Sequence, residues 1–410
     1  MLQNAFAATF EDDMSNLRVP HFRPVKTLIV STAICAAILS MMACKTEKVI
    51  KIGHITSDTG SESYIGAAST PAIQDHIDKI NAEGGINGYK LQLVSYDSRT
   101  EVPEAVSVAK RLIDQDKVAA VIGPSWSGAG IPIAAIADSS KVPFIGTTAT
   151  NVNVTVNESG KLHPYMFRAC FIDPYQGYAL ADYAYKKLNL RNVAFLADVT
   201  SPYTAGVHKF FENHFKELGG NITLSEGYTK GDAEFRAQLA KIKNSKADLL
   251  VCAADNYKDA GLIAQQSEAL GLKIKFMGSD GWFVDDLLGM AGKELEGAYL
   301  STGISTDSPE FASFNKAFFE KHKVKANMWS YFCLDAMMMI EHGIREATAN
   351  GKKPEPSAIR DAIENIKDLQ LFTSKVTMEK DTHNPHNKPL LILQIKDSKW
   401  NKVETFTPNS

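Results

Sequence analysis

Cysteine is scarce in this chain, five residues in 410. The three beyond residue 44, Cys170, Cys252 and Cys333, are far apart and each stands among apolar neighbours. That spacing makes neither a disulfide framework nor a zinc set. They read as buried thiols, with a bridge between any two left open. Excess charge is lacking too. The formal net charge is −3, and no basic run or face suggests nucleic acid. Enzyme signatures are absent: there is no H-E-x-x-H, no paired-Cys metal spacing and no G-x-G-x-x-G. His383-Asn384-Pro385-His386 has a metal-like look, but it falls in a polar turn and no further ligands accompany it. No metal and no cofactor is expected. Long apolar runs are missing as well, with one exception near the N-terminus.

That exception is residues 27–43, uncharged and 17 residues long, short of the roughly 20 that a spanning helix needs. Arg18, Arg23 and Lys26 precede it and Cys44 follows. A basic segment, a short apolar core and a small residue before Cys describe a secretory signal cut ahead of a cysteine to be lipidated. Met41-Met42-Ala43-Cys44 resembles a bacterial lipobox, with Met where Leu is commoner. Glu11, Asp12 and Asp13 do not suit a signal's basic region, so Met14 is the preferred start. Residues 1–43 are thus read as leader and 44–48 as a lipidated tether. The alternatives are an ordinary signal with an incidental Cys44, or an uncleaved anchor. The expectation is an exported chain, in the periplasm or on the outer cell surface, tethered to a membrane.

The remainder is long for one core, and two domains is the prior. Apolar strand-like runs alternate with segments of helical period. Strands are predicted over 49–55, 91–96, 119–122 and 142–146, with helices over 66–83, 103–115 and 131–140 between them. The rhythm restarts after Asp173. Helices are predicted over 177–188, 204–218, 233–244 and 258–270, and strands over 192–197, 221–226, 248–253 and 274–277. Helices over 311–321 and 331–349 follow, then a tail, 374–405, read as strands around a turn. Such βαβα alternation argues for parallel sheets covered on both faces. The fold class predicted is α/β: two Rossmann-like, doubly wound lobes facing each other across a cleft. Ligands of such folds bind at the carboxyl ends of the strands. That singles out the loops 57–66, 123–128, 146–151, 198–205, 253–258 and 278–283.

Three of these loops carry chemistry. Gly123-Pro124-Ser125-Trp126-Ser127-Gly128 follows a strand and opens a helix, where hydroxyls and N–H groups would meet an anion. No Gly-Lys-Ser/Thr follows, so it is not a P-loop, and Ser127 stands where a G-x-S-x-G elbow needs its second Gly. The bland reading is a Ser helix cap. Thr147-Thr148-Ala149-Thr150-Asn151 offers hydroxyls and main-chain groups, or a plain turn. Met277-Gly278-Ser279-Asp280-Gly281-Trp282 brings a carboxylate and an indole from the other half. Asp280 there could meet an ammonium or merely shape a Gly-flanked turn.

In this order the motifs resemble the Leu/Ile/Val-binding family of bacterial solute-binding proteins, with the type I periplasmic-binding fold. The resemblance runs from about residue 49 to 399. It rests on Ile52-Gly53, Thr59-Gly60 and Tyr64-Ile65-Gly66; on Ile80-Asn81-Ala82-Glu83-Gly84-Gly85-Ile86-Asn87-Gly88 and Leu93-Val94-Ser95-Tyr96-Asp97-Ser98; and on Val121-Ile122-Gly123-Pro124, Ala149-Thr150-Asn151 and Phe167-Arg168. Further matches are Asp173, Gln176-Gly177, Gly219-Gly220, Asp232, Glu234-Phe235 and Phe276-Met277-Gly278-Ser279-Asp280-Gly281.

The resemblance implies a free α-amino acid as ligand, with a branched-chain aliphatic side chain foremost. Ser127 and Thr150 match hydroxyls that hold the carboxylate, and Thr148 and Ala149 lie on the same loop. Asp280 stands where an acid pairs with the ammonium, and Tyr203 matches an aromatic that closes over the ligand. Tyr64, Trp126 and Trp282 fall near the side-chain end. Asn256 replaces a residue that is usually tyrosine in the branched-chain binders, and would hydrogen-bond a polar side chain. The N-lobe disulfide of the family is not expected, since Asp97 and Trp126 fall near its positions. The implied lobes are 49–170 with 306–373 and 171–305 with 374–410, joined by crossings near 170–174, 302–306 and 373–377. The implied role is the monomeric, lipid-anchored receptor of an ABC importer, partnered by membrane permease subunits. Rival readings are an amide, urea or aromatic acid in the same scaffold, or a ligand sensor. A hydrolase using Ser127 is set aside, because no His–Asp partnership is visible.

Overall fold

Strands buried on both faces read as continuous apolar runs, and β1 (Lys48–Thr56) has that character, with Ile50, Ile52 and Ile55 buried. The computed structural model describes residues 47–386 and 388–406. The expected leader, the Cys44 lipidation site and Met14 lie outside the described residues.

The first lobe is built on a five-stranded parallel sheet. Its order is β2 (Tyr89–Asp97), β1, β3 (Ala120–Ile122), β4 (Phe144–Gly146) and β5 (Met166–Arg168). Helices α1 (Ser63–Ala82), α2 (Val102–Asp114) and α3 (Ser127–Ser140) connect the first four strands. Pro103 in the first turn of α2 suits a position whose N–H has no intrahelical partner.

The chain then enters a seven-stranded sheet. Its order is β7 (Asn221–Tyr228), β6 (Asn192–Asp198), β8 (Leu249–Val251), β9 (Lys275–Gly278), β10 (Tyr299–Thr302), β14 (Leu390–Lys396) and β15 (Lys399–Phe406). Strands β6 to β10 run parallel, while β14 and β15 form an antiparallel edge. Helices α4 (Asp173–Asp182), α5 (Pro202–Glu217), α6 (Arg236–Asn244), α7 (Tyr257–Ala269) and α8 (Asp285–Ala291) belong to this half.

After β10 the chain returns through α9 (Ala312–His322), α10 (Met328–Ala347) and α11 (Pro356–Glu364). A small sheet follows, β11 (Leu369–Gln370), β12 (Lys375–Met378) and β13 (Pro385–His386), before the last passage into β14. Helix α10 starts with a reciprocal cap between Asn327 and Ser330. Its Met337, Ile340 and Ile344 join Ile50 and Ile52 in the first core, while Tyr331 and Phe332 join the second. Gly303 lies so near Phe171 that a β-carbon would stand 2.5 Å from its ring. The first two passages between the sheets therefore pack side by side.

Strands β5 and β10 and helices α8 and α11 are additions to the sequence reading. Helix α3 also starts at Ser127, four residues before the predicted 131. Cys170, Cys252 and Cys333 are buried and free. His383 is a packing residue: it stacks on Phe167 at 4.0 Å and contacts Met166 O at 3.0 Å and Glu364 at 3.2 Å.

Candidate functional site

A helix that begins at the end of a buried strand presents its free N–H groups to whatever lies beyond the sheet. Strand β3 ends at Ile122, and α3 begins five residues later with Trp126 at its cap position. Ser125, Trp126, Ser127 and Thr148 line one wall of a cavity between the two halves. Ser127 Oγ accepts from the N–H of Asn151 at 3.1 Å, and the Thr148 hydroxyl donates to the Ser125 carbonyl at 2.5 Å. The Thr147 hydroxyl donates to Ser125 Oγ at 3.0 Å. Loop 147–151 is held from behind by fully buried Arg168, which donates to the carbonyls of Ala149 and Asn151 and to the Thr155 hydroxyl, each at 2.9 Å. Ala149 is buried, and Thr150 Oγ1 is buried with no hydrogen-bond partner among the described residues.

The opposite wall comes from the second lobe. Asp280 follows β9, is 4% exposed and accepts from the Tyr203 hydroxyl. Both line the cavity with Gly281. Gly281 is needed there, since a β-carbon would sit 2.0 Å from the Ala254 carbonyl. Burial pushes the Asp280 carboxyl up to about 6, against the downward pull of the Tyr203 hydroxyl. Tyr203 is fixed in the first turn of α5, whose cap is Ser201 accepting from Thr204 N at 3.2 Å.

The cavity thus has hydroxyl donors and a helix N-terminus on one side and a buried carboxylate on the other. That polarity matches a zwitterion: donors for a carboxylate, an acceptor for an ammonium.

Five residues singled out in the sequence are off this lining: Ala149 and Thr150, buried in loop 147–151, and Trp282, Asn256 and Tyr64. Trp282 is 0% exposed and packs under Gly278, where a β-carbon would meet its ring at 2.2 Å. It is a core residue of the second lobe. The Asn256 side chain caps α7, accepting from Lys258 N at 2.9 Å, and its neighbour Asp255 lines the cavity instead. Tyr64 packs edge-on against Tyr257 at 5.4 Å and Trp329 at 5.1 Å. It borders a neighbouring groove and backs the cavity wall through Trp329.

Glu62, Ile65, Asp255 and Trp329 line the cavity without having been assigned to it from sequence. The first two lie in or beside the 57–66 loop and Asp255 in the 253–258 loop. Trp329 sits inside α10, far along the chain, where no loop motif marks it. Burial foremost, with the charge of Asp255 adding, raises Glu62 to about 8, and Lys230 opposes the shift. Burial likewise raises Asp255 to about 6, opposed by a hydrogen bond from Ser201.

The halves meet beside this cavity, where Asn151 Nδ2 donates to the Pro202 carbonyl at 2.8 Å. At Gly206 a β-carbon would stand 2.0 Å from Asp173 Oδ2 and 2.9 Å from Asn151 Nδ2. Gly206→Ala is therefore expected to push α5 off Asp173 of its own lobe and off Asn151 of the first lobe. If the competent closed fraction falls to a tenth, apparent affinity for the ligand drops roughly tenfold. Titration calorimetry together with small-angle scattering of the liganded variant checks both parts.

A periplasmic binding protein family model matches residues 49–399. An amino acid binding protein of Pseudomonas aeruginosa is 32% identical over 302 residues, 73% of this chain and 78% of its own length. Among solved structures, a leucine binding protein from Thermotoga maritima has a TM-score of 0.79 at 28% identity, covering 88% of this chain and 99% of the other. A branched-chain amino acid transporter substrate binding protein from Streptococcus pneumoniae, in complex with isoleucine, has a TM-score of 0.78 at 30% identity over 88% and 100%.

Proposed function

Because the chain belongs to the periplasmic binding protein family, we propose that it is an extracytoplasmic receptor for a free α-amino acid, serving an ABC importer. The observation that carries this reading is the opposed polarity of one cavity. Ser125, Ser127, Thr148 and the first turn of α3 face Asp280 and Tyr203 across it. The carboxylate of the ligand meets the hydroxyls, and its ammonium meets Asp280. Contact with both lobes makes binding favour the closed form by differential affinity. The closed monomer then docks on membrane permease subunits, and Cys44 carries the lipid that keeps it at the membrane. No bond changes in this process, so no residue is assigned a catalytic role.

The resemblance ranks Leu, Ile and Val first among ligands. Ile65, Trp126 and Trp329 supply apolar surface for such a side chain, and equally for the methylene stem of a longer one. Residues 45–410, refolded to remove carried-over ligand, should bind at least one free amino acid with micromolar affinity by calorimetry. Acetamide, urea and 4-hydroxybenzoate serve as controls. Heat from a control and silence from every amino acid would refute the zwitterion site and leave the fold untouched.

A further inference from the structure

The side-chain end of the cavity is not the apolar pocket that a branched-chain ligand needs. Glu62 lines it, is 4% exposed and has Lys230 as its one ion-pair partner among the described residues. Its nearest cation, Lys230 Nζ, stands 4.0 Å from Oε1 and also reaches the Thr100 carbonyl at 3.4 Å. Asp255 lines the same cavity from the second lobe. Its charge bears on both Asp280 and Glu62. The charge of Asp259 bears on Glu62 too, Glu62 in turn bears on the Tyr64 phenol, and Tyr257 packs edge-on against Tyr64. Beyond Trp126 and Asp255 the space continues into a groove that adds Glu101 and Asp198, with Lys230 the cation on its wall.

An aliphatic side chain seated here would displace water from buried carboxylates and give them nothing in return, which is costly. A cationic head with an apolar stem fits the same surfaces: methylenes against Ile65, Trp126 and Trp329, and charge-assisted hydrogen bonds to the acids. We propose that the ligand is an amino acid with a second positive group on its side chain, an ammonium or guanidinium held by Glu62 and Asp255. This rests on the amino-acid reading above, since Asp280 and the hydroxyl wall must hold the backbone of the same molecule.

Glu62, raised to about 8 by burial, is mostly protonated at pH 7 before a ligand cation joins it. A cation beside it favours the ionised form, so binding should expel a proton that a neutral analogue leaves in place.

The test pairs each basic amino acid with its uncharged counterpart, arginine with citrulline and lysine with norleucine, and includes leucine. Calorimetry of residues 45–410 at pH 7, in phosphate and again in Tris, reads affinity and proton release together. Arginine or lysine is expected to bind at least tenfold tighter than its counterpart and to release more protons. Glu62→Gln, its fold checked by thermal melting, should collapse that ratio toward one and remove the extra protons. Tight leucine with silent arginine and lysine would overturn the inference while leaving an amino-acid receptor. So would equal affinity and equal proton release within both pairs. Silence from every amino acid would overturn the amino-acid reading as well.

Discussion

Asp280→Ala is expected to weaken amino-acid binding by about 100-fold, because truncating one partner of a buried charge pair costs roughly 2–5 kcal/mol. The carboxylate is 4% exposed and faces a wall of neutral hydroxyls. Removing it leaves the ligand ammonium in a desolvated space without its partner, and of the acids on the lining only Asp255 and Glu62 remain. Asp280→Asn keeps an acceptor for the Tyr203 hydroxyl and should lose affinity while preserving the wall. The stability of the empty protein should move the other way. The Asp280 carboxyl is raised to about 6 by burial, whereas an unfolded Asp titrates near 3.9. Between those values the folded state holds the proton more tightly, so stability falls as pH rises through the window and stays lowered above it. The Asn variant escapes that loss and should melt higher than the parent at pH 7 when both are ligand-free. Ligand binding reverses the preference, since the ammonium favours the ionised carboxylate. Affinity should therefore climb as pH rises toward about 6 and level off above it, and calorimetry across that range checks it. A variant that binds normally and melts lower would make Asp280 a structural turn residue.

What could be read from the chain followed from local chemistry. Strand β8 is apolar and buried along its length, and β1 sends Ile50, Ile52 and Ile55 into the core, so apolar runs announced them. Strand β5 was missed because it is three residues long and ends in an arginine. Only the fold reveals that Arg168 is buried on two carbonyls of loop 147–151 and on the Thr155 hydroxyl. Strand β10 was missed because Ser301 and Thr302 look exposed in sequence and are buried in the sheet. The hydroxyl loops were legible because each follows a strand end, the place where an α/β fold puts ligands. Which side chain of a loop turns inward was not. Trp282 looked like a cleft residue and fills the space left by Gly278, and Asn256 is spent on a helix cap while Asp255 faces the cavity. Trp329 is illegible for a different reason: it reaches the site from a helix that enters both cores, and tertiary path alone brings it there.

That same helix carries the second large effect. Asp335, 0% exposed on α10, accepts from Lys388 Nζ at 2.6 Å, from Thr373 N at 2.9 Å and from the Thr373 hydroxyl. Lys388, 2% exposed, also donates to Thr373 Oγ1 at 2.8 Å and stands 5.1 Å from the centre of the Phe332 ring. Thr373 precedes β12 and Lys388 follows β13 just before β14, so the pair ties α10 to the start of the last passage, into the seven-stranded sheet. Asp335→Ala leaves an ammonium buried without a counter-charge and should destabilise the protein by about 3–5 kcal/mol, read as a fall in the urea midpoint. Such a loss would not mean that the pair stabilises the fold by that amount, because desolvation of both ions offsets most of their attraction. The double variant Asp335→Ala with Lys388→Met separates the two quantities. Recovery of most of the lost stability would show that the pair serves to fix where this passage runs. A double variant as unstable as the single one would mean that the hydrogen bonds to Thr373 carry the effect.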